Sequence, residues 1–164
     1  MMPENVTSIH NINIEKIPEV LQSIATEHLD DDFPAKLNVA RQFLSENMKN
    51  ALTDPGMPQQ IAARVWDQSS GKTLSAVLEL KYGVCLDYHV VAAVLLSKLN
   101  VQTLFQTGEV PNGPKHTYLD VFNPETNQWE IFDPFAENYL KAKGSSGRTF
   151  QSGYYSKSKT HQNS

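Results

Sequence analysis

Two runs of apolar residues at helical spacing open the ordered pattern of the chain. From Lys16 to His28 the positions Ile17, Val20, Leu21, Ile24 and Ala25 recur three and four apart. From Ala35 to Leu52 the positions Leu37, Ala40, Phe43, Leu44 and Met48 do the same. Each run predicts an amphipathic helix with one face turned to a core. Asp30, Asp31 and Asp32 before Phe33-Pro34 mark the connection between them, where negative charge favours a helix N-terminus, so capping is preferred over metal binding. Asp54-Pro55-Gly56-Met57-Pro58 breaks the pattern, and a short helical stretch from Gln59 to Asp67 follows, with Ile61, Ala62, Val65 and Trp66 on one side. Ser69-Ser70-Gly71 reads as a turn, and Thr73 to Leu80 as another helical segment ending near Gly83, where glycine permits a sharp change of direction. The next helix starts at Cys85. Its Val90, Val91, Val94, Leu95 and Leu99 make it apolar enough to be central, burial overriding the modest helix propensity of β-branched residues.

After Leu99-Asn100 the period changes. Val101 to Val110, Lys115 to Phe122 and Gln128 to Asp133 are short, rich in Val, Thr, Tyr, Phe and Trp, and separated by turn residues, which predicts consecutive antiparallel strands. Asn123 to Asn127 suits a hairpin connection, and Pro111-Asn112-Gly113-Pro114 a stiff loop leading to His116. Helices first and strands second make this an α+β chain, with no internal repeat. The expected layout is a single domain over residues 1–142, its first 14 residues flexible, followed by a polar, poorly ordered tail over 143–164 in which Arg148 to Tyr155 could add an edge strand.

Composition narrows the function. The 164 residues, 40% of them hydrophobic, are ordinary for one globular domain. A net charge of −4, from 14 Lys and Arg against 18 Asp and Glu, gives no nucleic-acid footprint. A single cysteine, Cys85, excludes an internal disulfide and any multi-cysteine zinc site, and suits a reducing compartment. No run is long enough to span a bilayer, and Met1 to Ile14 lacks the basic start and apolar stretch of a classical signal peptide. A cytoplasmic location is expected, or delivery into a host cell by a specialised secretion system. Gly71-Lys72-Thr73 lacks the glycine that a phosphate loop needs five positions earlier, where Trp66 stands, so nucleotide binding is rejected.

Three short motifs carry chemistry: Gly83-Val84-Cys85-Leu86-Asp87-Tyr88, His116-Thr117-Tyr118-Leu119-Asp120-Val121 and Trp129-Glu130-Ile131-Phe132-Asp133-Pro134. A lone cysteine on an apolar helix is ordinarily a small core residue. At a helix N-terminus, directly after a glycine, the unpaired N–H groups and the dipole instead favour its thiolate. His116 lies 31 residues beyond Cys85, and Asp133 17 beyond His116. An antiparallel pair of the two strands would return Asp133 to the side of His116, where a carboxylate can fix the ring tautomer; otherwise Asp133 simply begins an Asp-Pro turn. His89, four residues after Cys85 on the same helix face, offers too few ligands for a metal and is assigned to packing or to support of the site. His10, His28 and His161 suggest no partners.

These motifs, over roughly Thr73 to Phe135, resemble the core of the transglutaminase-like superfamily of cysteine enzymes. The resemblance implies a papain-like arrangement, the cysteine helix packed on a small antiparallel sheet that bears the other two groups. It places the nucleophile on Cys85, the base on His116 and the orienting acid on Asp133, with Asp87 and Trp129 as supports. It also implies an oxyanion hole built from the Cys85 backbone N–H and an upstream side chain, for which Trp66 and Gln68 are the candidates. The calcium-binding and accessory domains of animal transglutaminases have no counterpart in the sequence, so no cofactor is expected. The expected function is thiol-dependent acyl transfer on a protein substrate, with neither nucleic acid nor membrane as partner. The leading form is a glutamine deamidase or transglutaminase, with the role of a bacterial effector among the expectations. A cysteine protease and a non-catalytic binding module are the alternatives.

Overall fold

The structure is a computed structural model that describes residues 8–9, 12–14, 16–65, 72–109, 115–142 and 159–162. In chain order its elements are β1 (Ser8–Ile9), β2 (Ile12–Asn13), α1 (Glu19–His28), α2 (Phe33–Asn47), β3 (Lys49–Asn50), α3 (Gln59–Val65), β4 (Lys72–Thr73) and α4 (Leu74–Leu80). They continue with β5 (Tyr82–Gly83), α5 (Cys85–Lys98), β6 (Thr103–Glu109), β7 (Lys115–Asn123), β8 (Gln128–Phe132), α6 (Pro134–Ala142) and β9 (Lys159–Gln162). This is the expected α+β architecture. No helix among the described residues is long and apolar enough to cross a membrane.

Helix α5 is the axis of the core. Every residue from Asp87 to Leu96 is buried, so the middle of the helix has no solvent face. A helix that is apolar all round must be covered all round. On one side it meets α1 and α2 through Leu21, Ala25, Leu37, Ala40, Phe43 and Leu44; on the other it meets the sheet through Phe105, Leu119, Val121 and Phe132. That sheet has the order β8-β7-β6-β9 and is antiparallel throughout. Strand alternation puts Leu119 and Val121 beneath α5, while Gln106 and Asp120 pair at 2.6 Å and Phe122 meets Trp129 edge to face at 5.3 Å on alternate positions.

Local chemistry explains the helix starts. Asp32 caps α2, its Oδ1 accepting from the Ala35 N–H at 2.9 Å, with a proline in the first turn. Thr73 Oγ1 caps α4 through the Ala76 N–H at 3.0 Å. Helix α2 ends at Asn47 rather than near Leu52, because Lys49 and Asn50 leave it to pair in parallel with Tyr82 and Gly83 of β5. His28, expected to be alone, pairs with Asp31 at 2.8 Å.

Three further differences from the sequence reading stand out. Helix α6 was not expected; Asp133-Pro134 supplies its N-cap and first-turn proline. The end of segment 143–164 contributes β9, which lines the β6 edge of the sheet; Arg148 to Tyr155 lie outside the described residues. Near the N-terminus, β1 pairs with β2 and β2 with β4, and Ile14 is buried in the main core.

The role of Gly83 is also different. The left-handed residue that ends α4 is Lys81, at φ 62°. Gly83 is required by space: a Cβ there would lie 2.7 Å from Met48 Cε and 2.8 Å from Asp87 Cβ. The Met48 methyl can swing aside, but the Asp87 Cβ is fixed in the first turn of α5. Replacing Gly83 with Ala should therefore lower stability by about 2 kcal/mol, read as a lower denaturation midpoint with the slope unchanged. A midpoint equal to or above that of the wild type would show that the turn, not the packing, had selected glycine.

Candidate active site

The site is assembled where the N-terminus of α5 meets the end of the β7–β8 hairpin. Val84, in extended conformation, is the N-cap of α5, and the Asp87 side chain in the first helical turn turns back to accept from the Val84 N–H at 3.0 Å. This is half of a capping box, and it fixes the entry angle of the chain into the helix. Cys85 is the first helical residue and is partly exposed. Its N–H belongs to the first turn, where N–H groups have no intrahelical acceptor.

His116 sits near the start of β7, opposite Gly108 of β6. Tyr118, two residues on, stacks on its ring with centroids 6.2 Å apart and planes 17° from parallel, and Phe135 of α6 packs at 6.0 Å. The hairpin register pairs Leu119 with Phe132, which brings the next residue, Asp133, back to His116 as the spacing predicts. His116 Nε2 and Asp133 Oδ2 are 2.7 Å apart. A carboxylate can only accept, so Nε2 carries the proton and Nδ1 is the nitrogen left for another partner; the Cys85 thiol interacts with the same ring and favours its charged form.

Asp133 is 1% exposed and does two things at once. Its Oδ1 accepts from the Ala136 N–H at 3.0 Å, capping α6, while its Oδ2 accepts from the Nε2–H of His116. The turn reading and the orienting reading of Asp133 therefore coexist. On its other side stands His89, fully buried, with Nδ1 2.7 Å from the Cys85 carbonyl oxygen and Nε2 3.2 Å from Asp133 Oδ1. Sequence reasoning left His89 to packing or to support of the site and gave no reason to expect this contact, since no spacing rule links α5 to the end of β8.

The electrostatics follow from these contacts. Burial alone would lower the pKa of His116, but its hydrogen bonds to Asp133 and Cys85 and their charges more than reverse this, pushing it up to about 9. Burial alone would raise Asp133, but the hydrogen bond from His116 and the contact with His89 hold its carboxyl well below the usual carboxylate range.

Among the described residues no group of three or more His, Cys, Asp or Glu side chains is placed to hold a metal ion. Trp66 and Gln68, the candidate oxyanion donors, lie outside the described residues. A cavity of about 250 Å³ between α2, α5 and the start of α6 is lined by Arg41, Tyr88 and Glu137 among others, and includes none of Cys85, His116 and Asp133.

A helix-borne thiol beside an imidazole on a strand and a carboxylate just past the end of the neighbouring strand is the papain-like arrangement. The chain belongs to the transglutaminase-like family: the family model described as a transglutaminase-like domain matches residues 19–111. That stretch runs from α1 past β6 and contains Cys85, whereas His116 and Asp133 lie beyond it. Among solved structures the fold is similar to a candidate cysteine protease from Cytophaga hutchinsonii, with 16% identity and a TM-score of 0.51 over 71% of this chain and 37% of that one. A TGase (16% identity, TM-score 0.49, 74% of this chain and 34% of that one) and a candidate protease from Parabacteroides distasonis (13%, 0.49, 73% and 24%) are also similar. The chain thus spans little more than a third of the length of the first of these neighbours. No match is found among curated proteins.

The charge pattern predicts a pH signature in stability. The pKa of His116 is raised on folding, so its contribution is complete below its ordinary value of 6.5 and is lost as pH rises through about 9. Asp133 is depressed, so its contribution is present above its ordinary value near pH 4 and is lost on acidification. The unfolding free energy of the wild type minus that of His116→Gln should therefore be greatest between roughly pH 4 and 6.5, by at most about 3 kcal/mol, and should shrink towards pH 9. Chemical denaturation at a series of pH values checks this; a flat difference would mean that His116 carries no folding-linked charge.

Proposed function

We propose that the chain is a thiol-dependent acyl-transfer enzyme acting on carboxamides, with glutamine side chains of proteins as the leading substrate class. The observation that carries this reading is that His116 is hydrogen-bonded to Asp133 while its ring also interacts with the thiol of Cys85, the first residue of a largely buried helix.

In this mechanism Cys85, as thiolate beside protonated His116, attacks the carboxamide carbon and forms a C–S bond. The Cys85 backbone N–H, in the first turn of α5, is a donor for the oxyanion that develops. His116 gives its proton to the departing nitrogen, the C–N bond breaks, ammonia leaves, and a thioester remains on Cys85. His116, now neutral, takes a proton from the second nucleophile as it attacks the thioester, and the C–S bond breaks to restore the ion pair. Asp133 keeps the proton of His116 on Nε2, so that Nδ1 does the transferring. Water as second nucleophile gives a deamidase, an amine gives a transglutaminase, and a peptide carbonyl as first substrate gives a protease. The protease reading has one observation in its favour, the fold shared with the candidate cysteine protease from C. hutchinsonii.

Intact-mass analysis separates these outcomes. Candidate protein substrates are incubated with wild type and with Cys85→Ala, with and without a small primary amine. A Cys85-dependent gain of about one dalton, or of the amine less ammonia, establishes acyl transfer at glutamine. His116→Ala should lower the rate by about 10²–10⁴. Fragments would make the enzyme a protease. No change on any substrate, together with a Cys85 that iodoacetamide alkylates no faster than a model thiol, would overturn catalysis in favour of a binding module.

A further inference from the structure

His89 is a buried ionisable side chain that the mechanism above does not use. It is 0% exposed, and its two nitrogens meet two different parts of the site. Nδ1 lies 2.7 Å from the backbone oxygen of Cys85, the residue that carries the thiol. A carbonyl oxygen has no proton to give, so Nδ1 must be the donor and must carry a hydrogen. Nε2 is 3.2 Å from Asp133 Oδ1, within ion-pair distance, and makes no hydrogen bond among the described residues. Two states are open to it. With a bare Nε2, a nitrogen lone pair would face a carboxylate oxygen in a site closed to water, which is repulsive and leaves a buried polar atom unsatisfied. With a proton on Nε2 the same contact is an ion pair.

From this geometry we propose that His89 is a positioning residue, protonated on both ring nitrogens, that ties the nucleophile's helical turn to Asp133 and shares the charge of that carboxylate with His116. The inference rests on the reading of His116 and Asp133 as base and orienting acid. Asp133 then stands as a bridge between two imidazoles, Oδ2 to His116 and Oδ1 to His89, with the two ring centroids 6.0 Å apart. Among the described residues the ionisable groups around this bridge include Cys85 on the same helix, Tyr118 stacked on His116 and, beyond Asp133, Glu137 of α6 with its partner Arg41 of α2 at 3.2 Å.

The arrangement bears on the step at which His116 must be neutral. An unshared carboxylate at 2.7 Å would hold the His116 proton tightly, which helps to form the thiolate but hinders attack of water on the thioester. A cation on the far oxygen of the same carboxylate weakens that hold without moving the ring. His89 would therefore speed turnover of the thioester and leave its formation nearly unchanged.

The test has two independent readouts. The first is long-range ¹H–¹⁵N correlation of the histidine rings in the wild-type chain between pH 6 and 8. His89 should show protons on both nitrogens; one bare ring nitrogen at His89 across this range overturns the proposal, whatever the enzyme's activity. The second uses p-nitrophenyl acetate, which acetylates a reactive thiolate with release of p-nitrophenolate and leaves a thioester for water to hydrolyse. His89→Gln keeps an amide N–H towards Asp133 but carries no charge. It should retain the p-nitrophenolate burst, lower the steady-state rate at pH 7 about tenfold, and move the pH midpoint of thioester hydrolysis up by about one unit. His89→Asn, which keeps the donor towards the Cys85 carbonyl instead, should move the midpoint in the same direction. A midpoint that stays in place or falls in whichever variant folds overturns the proposal and leaves His89 with a packing role. Absence of any Cys85-dependent burst in the wild type would instead overturn the catalytic reading of the site, with the ring-proton measurement still deciding the state of His89.

Discussion

The buried carboxylate of Asp133 is the constraint around which the rest of the site is arranged. A carboxylate with 1% exposure is strongly disfavoured unless its oxygens are met by donors. Here the backbone of Ala136 and the ring of His116 donate to it and His89 closes the remaining side. These three groups come from α6, β7 and α5. Satisfying one charged group therefore requires the hairpin register, the start of α6 and the rotation of α5 all to be correct together. The same requirement that stabilises the fold aligns the thiol with the imidazole, so the site is a product of packing and not an addition to it.

The thiol end of the arrangement depends on α5 being rigid. With Asp87 to Leu96 all buried, the helix cannot slide or rotate without losing contacts on both of its sides. Its entrance is held by the Asp87 carboxylate on the Val84 N–H and by the close approach of Met48 and Asp87 to Gly83, which the β3–β5 pairing draws in. A thiol at the first residue of such a helix moves only as the core moves. His116 is held in the same manner, between the Tyr118 ring and Phe135.

Much of this was legible in the residues, and the reasons are specific. Cys85 after Gly83-Val84, at the head of an apolar helical run, carries its own positional signal, and two strands joined by a short turn leave one register in which Asp133 returns to His116. What escaped the sequence is what only tertiary contact decides. The helical spacing of α2 runs on past Asn47, but Lys49 and Asn50 exchange helix for a parallel pairing with β5. Gly83 looks like a turn residue and is in fact a spacer, the turn falling to Lys81. Asp133-Pro134 signals a helix start as clearly as a turn, and the strand pattern before it masked α6. His89 had the spacing to share a face with Cys85, but its meeting with Asp133 joins two segments 44 residues apart in sequence.

Two independent lines lead to the class of chemistry, and they cover different parts of the chain. The family match runs over residues 19–111 and takes in the helices, the thiol and β6; it says nothing of the imidazole or the carboxylate. Those two come from the β7–β8 hairpin, where the geometry brings them together without reference to any relative. Their agreement bears on reaction type more than on substrate. The thiol, imidazole and carboxylate act alike on a carboxamide, an ester or a peptide bond, because each step concerns one carbonyl carbon and one proton. What distinguishes these substrates is which acyl group reaches Cys85 and which nucleophile reaches the thioester, and neither is fixed by the buried network. In the proposed reaction that network would set how readily His116 gives up and regains its proton, while choice among acceptors would rest with the walls around the partly exposed Cys85.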